Sequence, residues 1–223
     1  MIELLRSIDT EIFLSLNNLN TPFWDSFMSI FSGKMIWAPM YATIVYILYT
    51  NLDKRTATFY SLAIILTIAL ADMTCARMLR PMAERLRPAN LDNPISGMVH
   101  IVGNYRGGIY GFPSCHAANS FGLATILSLI IRKRTLAVFI FLWATVNAYS
   151  RLYLGVHYTG DLLVGAIIGS LIAIGVYWLA QRIARRRLGY SRASFTQSYV
   201  LPAVGLTTVF CIAVYSFTVY FRW

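Results

Sequence analysis

The sequence predicts an all-α membrane protein, a polytopic bundle of about six spanning helices, from three observations. Hydrophobic residues make up 57% of the 223-residue chain and charged residues 13%, whereas soluble domains average about 45–50% apolar and about 25% charged residues. Several apolar runs approach the roughly 20 residues that a bilayer-crossing helix needs. The short connections between many of these runs are rich in arginine and lysine, which is typical of membrane orientation signals.

The apolar runs also define the domain organisation. They predict spans at about residues 35–50, 58–79, 117–131, 136–153, 161–181 and 198–221. Residues 1–34 mix leucine, isoleucine and phenylalanine with aspartate, glutamate and asparagine, a pattern that favours interfacial amphipathic helices. We therefore expect interfacial helices over 1–34 and one membrane-embedded domain over 35–223, with its chemical motifs within 80–161.

Basic residues distinguish the two faces of the predicted bundle. The connections at 51–57, 132–135 and 181–197 lie on one face and are dense in arginine and lysine. The positive-inside rule makes that face cytoplasmic. The long loop at 82–116 and the turn at 154–160 then face outward, so we expect a multi-pass protein of a bacterial inner membrane whose site faces the periplasm.

Charge and cysteine content disfavour two further classes. The net charge of +10 could suggest nucleic-acid binding, but much of this charge falls in short loops between spans, where membrane orientation explains it. The three cysteines show neither metal-ligand spacing nor a disulfide framework. We expect no nucleic-acid partner and no metal site, and the oligomeric state stays open.

Two polar clusters lie at the predicted outer ends of spans. Arg80 and Arg87 are each followed by proline, which fixes the local chain, and two rigidly presented guanidiniums can neutralise a phosphoryl group. The alternative is an ordinary basic membrane boundary, although that favours the cytoplasmic side. Ser114 and His116 open the third span, where free N–H groups of a helix N-terminus bind anions. Ser114 can add a hydroxyl donor, and His116 can supply a proton.

A third cluster lies where the fourth span gives way to the fifth. Arg151 ends the fourth span and forms a polar stripe with Asn147 and Ser150, although an arginine there can simply reach the interface. His157 and Asp161 share one face if the backbone between them is helical. The carboxylate can then hold one ring N–H and leave the other nitrogen as a nucleophile. The alternative, that Asp161 only caps the helix, stays open.

These clusters resemble the motifs of the type 2 phosphatidic acid phosphatase (PAP2) superfamily in order, spacing and topology over about residues 58–181. The matching pattern is Arg80-x6-Arg87-Pro88, then Pro113-Ser114-x-His116, then Ser150-Arg151-x5-His157-x3-Asp161. Members of that family are metal-independent phosphatases with a helical core, and its membrane members act on lipid phosphates or pyrophosphates. The resemblance therefore implies a lipid phosphate substrate and no cofactor.

The resemblance also implies a role for each motif residue. His157 resembles the nucleophile that forms a phosphohistidine, with Asp161 as its partner and His116 as the acid that protonates the leaving group. Water would then hydrolyse the phosphohistidine, with His116 turned from acid to base. The phosphate would be held by Arg80, Arg87, Ser114, Cys115 through its backbone N–H, and Arg151.

Two positions depart from the family pattern. The first motif usually begins with lysine, and Arg80 replaces that point charge with a planar fork. The second motif usually has glycine where Cys115 stands, and a cysteine at positive φ would be strained. We predict helix-compatible backbone angles at Cys115. A cysteine nucleophile is disfavoured because no Cys-x5-Arg loop is present.

The substrate is less well defined than the reaction. The chain is similar to small PAP2 proteins of Bacteroidota, some of which resemble lipid A 4′-phosphatases, so a lipid A phosphate is the first expectation. Undecaprenyl pyrophosphate and phosphatidylglycerophosphate are alternatives, because the motifs cannot rank the three. Two other classes stay open, a vanadate-dependent haloperoxidase with the same anion pocket and a non-catalytic lipid-binding or transport protein.

Several polar residues near the motifs have two interpretations. Arg77, Arg85 and Arg106 either bind an anion or contact lipid headgroups. Asp72 lies inside an apolar span, which is costly and often functional, and either pairs with an arginine or faces a polar helix surface. Residues 89–112 are rich in glycine and aromatics near their C-terminal end and predict a lid or headgroup-contacting loop.

Overall fold

The computed structural model describes residues 2–189 and 193–221, and within these ranges it contains helices and no β-strand. The helices α1 to α9 are Ile2–Asn17, Pro22–Phe31, Ala38–Asn51, Lys54–Met73, Arg80–Ala83, Cys115–Ile131, Arg134–Tyr153, Thr159–Arg187 and Val200–Tyr220. A π-helical turn at Thr74–Leu79 joins α4 to α5. Short 3₁₀ turns lie at Met35–Trp37 and Ser96–Met98.

The helices bear out the predicted all-α membrane bundle. Four stretches are long and apolar enough to cross a membrane, and they are Lys54–Ala83, Arg134–Tyr153, Thr159–Arg187 and Val200–Tyr220. The apolar helix α6 is shorter, with 17 residues. The span predicted at 35–50 corresponds to α3, which has 14 residues, and it stays a prediction.

The helix α8 extends beyond the predicted end of the fifth span at residue 181 and continues to Arg187. The apolar residues give way to arginines near residue 181. Arginine is a good helix former, and positive charge near a helix C-terminus interacts favourably with the helix dipole. The helix therefore extends beyond its apolar part.

The close packing of α6 against α8 depends on two glycines of α8. A Cβ at Gly165 would overlap the backbone carbonyl of Ser114, and one at Gly169 would overlap that of Ala118. Small residues at this spacing let helix backbones approach closely. The N-termini of the two helices consequently meet, and the Ser114 N–H donates to the Asp161 carbonyl at 3.0 Å.

An aromatic cluster fixes the corner between α2 and α3 against α7. The Trp37 ring packs edge-on against Phe31 and Trp143, with centroid distances of 4.7 and 5.5 Å. Its indole Nε1–H donates to the Phe31 carbonyl at 2.8 Å, so the buried polar atom is satisfied. This corner places Ser32 beside the C-terminal half of α7, where Arg151 lies.

Candidate active site

The three sequence clusters meet at one end of the bundle. The site there is formed by the C-terminal part of the α4–α5 stretch and the N-terminus of α6. It is completed by the C-terminus of α7 and the N-terminus of α8. The structure brings together all of the predicted site residues, which are Arg80, Arg87, Ser114, Cys115, His116, Arg151, His157 and Asp161.

His157 and Asp161 form a buried pair. The imidazole Nδ1 lies 3.3 Å from Asp161 Oδ2, and the two residues are 2% and 0% exposed. The condition for a shared helical face is not met, because α8 begins at Thr159 and His157 lies in the connection before it. Asp161 Oδ2 also accepts the Tyr158 N–H at 3.0 Å. Asp161 thus caps the helix and contacts His157 with the same oxygen, since an acidic side chain at this position reaches back to the helix start.

The contacts of His157 define its tautomer. Arg87 Nη1 lies 2.9 Å from His157 Nε2, and a guanidinium can only donate. Nε2 is therefore the acceptor, and the ring proton belongs on Nδ1, facing Asp161. Burial is the largest cause that lowers the pKa of His157 well below its ordinary value, with Arg87, Arg151 and Arg80 adding repulsion. The ring is neutral at pH 7 with its lone pair on Nε2.

Arg87 and two further arginines, Arg80 and Arg151, lie near His157 and have few partners of their own. Arg80 Nη2 donates to the Pro113 carbonyl at 3.2 Å and to Cys115 Sγ at 3.0 Å. Arg151 Nη1 donates to Ser32 Oγ at 2.6 Å. Within residues 2–189 and 193–221, the buried Nε–H groups of Arg80, Arg87 and Arg151 have no hydrogen-bond partner, and none of the three forms a salt bridge.

Such a cluster of unpaired cations is costly without an anion. Burial, followed by repulsion from Arg80 and Arg151, lowers the pKa of Arg87 to about 10, so Arg87 still carries its charge at neutral pH. Buried charges are stable when they are paired and fully hydrogen-bonded. A planar fork of N–H donors matches the oxygens of a phosphate, and the arrangement is suited to a phosphoryl group beside Nε2.

The N-terminus of α6 adds backbone donors to the same place. Ser114 caps the helix, and its Oγ accepts the Ala117 N–H at 3.4 Å. Cys115 is the first helical residue and does not have a positive φ, so the predicted helix-compatible angles are confirmed. The first N–H groups of a helix have no intrahelical acceptor, which leaves those of Cys115 and His116 available to an anion.

His116 lies close to a residue outside the three sequence motifs. Its ring lies beside the backbone of Ser32, the residue whose hydroxyl accepts from Arg151. One serine at the α2–α3 corner is thus close to both a histidine and an arginine of the site. No spacing signal links Ser32 to the motifs, because the contacts depend on how α2 packs against α7.

The loop predicted over 89–112 does lie against the site. Gly107 has φ of +70°, and a Cβ there would lie 3.1 Å from the Arg87 side chain. A Cβ at Gly111 would lie 3.1 Å from Asp161 Oδ2. The Tyr105 ring centre is 5.7 Å from the Arg151 guanidinium carbon. Glycine lets this loop approach His157 and Asp161 closely.

The residues with two interpretations fall into different environments. Arg85 contacts Asp9 and Asp161, and Arg106 donates to the Ala89 carbonyl at 2.7 Å. Arg77 is exposed. Asp72 accepts from Asn119 Nδ2 at 3.3 Å, so it faces a polar position on α6 and has no salt bridge to an arginine within the described part of the chain.

An apolar cavity of about 560 Å³ extends from the site between α3, α4, α6 and α7. His116 and Asn147 line it together with Ser32 and Lys34, and the remainder is formed largely by apolar side chains such as Ile44 and Leu48. The His116 side of the site is therefore connected to a space suited to hydrocarbon.

A membrane bundle with a His–Asp pair inside an arginine cluster defines a phosphoryl-transferring membrane enzyme, and the chain belongs to the PAP2 superfamily, whose profile matches residues 56–185. It is 50% identical to a lipid A 4′-phosphatase of Bacteroides thetaiotaomicron, covering 97% of this chain and 98% of the relative. It is 30% identical to a lipid A 4′-phosphatase of Porphyromonas gingivalis, covering 85% and 80%. The predicted class, a lipid phosphatase of this family, is confirmed.

Two solved structures share the architecture. Aquifex aeolicus LpxE aligns with a TM-score of 0.56 and 27% identity, covering 75% of this chain and 93% of that one. A PAP2-type phosphatidylglycerolphosphate phosphatase from Bacillus subtilis aligns with a TM-score of 0.63 and 20% identity, covering 82% and 89%. The second likeness concerns the fold alone.

Proposed function

We propose that the chain removes the 4′-phosphate of lipid A at the periplasmic face of a bacterial inner membrane, through a phosphohistidine on His157. The observation that carries the reaction is the set of three buried, unpaired Nε–H groups around the neutral Nε2 of His157. The substrate rests on the two relatives named lipid A 4′-phosphatase. The side of the membrane rests on the basic connections at the opposite end of the bundle.

Substrate binding would pair the phosphate with Arg80, Arg87 and Arg151 and with the N-terminus of α6. Ser114 and the Cys115 N–H lie at that helix start. Arg87 currently donates to Nε2, so it must exchange this bond for a phosphate oxygen before attack. The exchange frees the lone pair at the moment when the phosphate has been placed.

The chemistry then proceeds in two steps. Nε2 attacks phosphorus, the P–O ester bond breaks, and His116 donates a proton to the departing sugar oxygen. His116 must therefore enter this step as an imidazolium, which requires it to take up a proton when the negatively charged phosphate binds. The new imidazolium keeps its Nδ1–H on Asp161, whose negative charge stabilises it. In the second step His116 takes a proton from water, the water oxygen attacks phosphorus, and the P–N bond breaks to release inorganic phosphate.

The cavity and the N-terminal helices complete the proposal for a lipid substrate. The apolar space beside His116 is suited to hydrocarbon attached to the leaving group, which removes apolar surface from water. The helices α1 and α2 within residues 1–34 would lie at the interface beside the membrane-embedded domain over 35–223. We infer no metal in either step, as expected from the family motif.

Phosphate release from purified lipids tests the proposal. The panel contains lipid A, undecaprenyl pyrophosphate and phosphatidylglycerophosphate, each with and without EDTA. We expect release from lipid A in both conditions, with loss of the 4′-phosphate visible by mass spectrometry. A preference for either other lipid would overturn the substrate assignment, and loss of activity in EDTA would contradict the metal-free mechanism.

Two further measurements separate the remaining classes. Vanadate-dependent halide oxidation without phosphate release would identify a haloperoxidase. Lipid binding with full function in a His157→Ala variant would identify a non-catalytic protein. Trapping of acid-labile, base-stable phosphate on His157 is the result expected for the proposed phosphatase.

A further inference from the structure

Arg85 contacts the catalytic carboxylate on the oxygen that does not face His157. Its Nη1 donates to Asp161 Oδ1 at 3.0 Å, and its Nη2 lies 2.8 Å from Asp9 Oδ2. Its guanidinium carbon lies 3.9 Å from the centre of the Tyr158 ring, a favourable cation–π placement. Both terminal nitrogens thus contact carboxylates, which separates Arg85 from the three arginines that have unpaired N–H groups.

Asp9 brings the N-terminal helix to this contact. Its Oδ1 accepts the Gly160 N–H at 2.8 Å, an amide in the first turn of α8. A Cβ at Gly160 would lie 2.7 Å from Asp9 Oδ2, so a larger residue there would displace the Asp9 carboxylate. Asp9 lies in α1, outside the residues that match the family profile. The helix α1 is therefore attached directly beside the catalytic pair.

We propose that Arg85, held by Asp9, is a positioning residue that keeps Asp161 ionised and directed at His157 Nδ1. This inference rests on the function proposed above. Asp161 is 0% exposed, and a buried carboxylate is costly unless it is paired and hydrogen-bonded. Its Oδ2 receives the Tyr158 and His157 N–H groups, and its Oδ1 receives Arg85.

The pairing matters most when the nucleophile becomes charged. Phosphorylation of Nε2 turns the imidazole into a cation, and an ionised Asp161 stabilises that cation. If Asp161 were protonated, it would keep the ring in place but lose this electrostatic contribution. The charged and titratable groups facing Asp161 are Arg85 and Arg87 from one segment and His157 and Tyr158 from another. Arg87 is proposed to bind the phosphate, so Arg85 is the arginine that remains to form an ion pair with Asp161.

Kinetics of an Arg85→Gln variant test the role. We expect kcat to fall roughly 10- to 100-fold, the rate equivalent of one hydrogen bond to a charged group. KM should stay near the wild-type value, because Arg85 does not contact the phosphate. Arg85→Lys should recover part of kcat by restoring the charge. The matched control is Arg77→Gln, because Arg77 is exposed and has no ion pair within the described residues.

A double-mutant cycle separates positioning from general damage. In an Asp161→Asn background, Arg85→Gln should cause little additional loss, because the group through which it acts is gone. Asp9→Asn should lower kcat by only about 2- to 5-fold, as expected for a partly exposed ion pair. Glu11→Gln on the same helix should leave kcat unchanged.

The outcomes distinguish this inference from the proposed function. Unchanged kcat in Arg85→Gln, an equal loss in the Asp161→Asn background, or a rise in KM alone would each overturn the positioning role. If Arg85→Gln does not fold, the Asp9→Asn and Arg85→Lys variants test the positioning role instead. Wild-type kcat in both variants would overturn that role. A wild-type protein that releases phosphate from no lipid contradicts the proposed function instead.

Discussion

The arginines at the two ends of the bundle have opposite surroundings. At the site, Arg87 and Arg151 are each 7% exposed. Arg87 lies near Arg80 and Arg151, and Arg151 also lies near His116. At the other end, Arg185, Arg186 and Arg187 are exposed on the last turn of α8. A hydrated arginine near a membrane boundary needs no specific partner, whereas a buried one does. Burial, rather than charge alone, separates anion binding from membrane orientation.

Loss of the proposed nucleophile should produce the largest effect at the site end. We expect His157→Gln to lower phosphate release by about 10⁴-fold or more, as for removal of a group that forms the covalent intermediate. His100→Gln is the control, because His100 contacts Asp25 at 2.8 Å and lies outside the arginine cluster. The measurement is single-turnover phosphate release in detergent micelles. Appreciable turnover in His157→Gln would refute the phosphohistidine route.

A pair of arginine substitutions compares the two ends directly. Arg151→Lys should lower kcat/KM by roughly 10²- to 10³-fold, because a point charge replaces the planar fork that is proposed to stabilise the transition state. Arg186→Lys at the opposite end should change kcat/KM less than about twofold, since an exposed surface charge is retained. Both are measured with the same lipid under the same salt. Equal losses in the two variants would show that burial does not identify the functional arginines.

The motif residues could be predicted from the sequence because each motif is local. His157 and Asp161 are four positions apart, and proximity along the chain brings them together even though the helix begins only at Thr159. Asp9 and Arg85 are far apart in sequence, and their contact depends on how α1 packs at the start of α8. Hydrophobic periodicity carries no information about such long-range pairing.

The pH dependence of the protein's stability should reflect the burial of His157. The lowered pKa keeps folded His157 neutral, while the unfolded histidine takes up a proton below about pH 6.5. The unfolded state then binds more protons, so stability is lost as pH falls below that value, by up to about 1.4 kcal/mol per unit. Thermal unfolding between pH 7.5 and 5 checks this, with His157→Gln showing the shallower decline. Parallel declines would place His157 in a less buried environment than the structure gives.

The smallest effect is expected at the position where this chain departs from its family. Cys115→Gly removes the sulfur that accepts from Arg80, but Arg80 keeps its bond to the Pro113 carbonyl. The backbone N–H of residue 115 remains at the helix start, and glycine within a helix costs only a few tenths of a kcal/mol more than cysteine. We expect kcat/KM to change less than about threefold, and Cys115→Ser to behave similarly. A loss comparable to that of His157→Gln would instead assign a covalent role to the thiol. A mild loss would show that the buried arginines of the site bind the phosphate without help from the Cys115 sulfur.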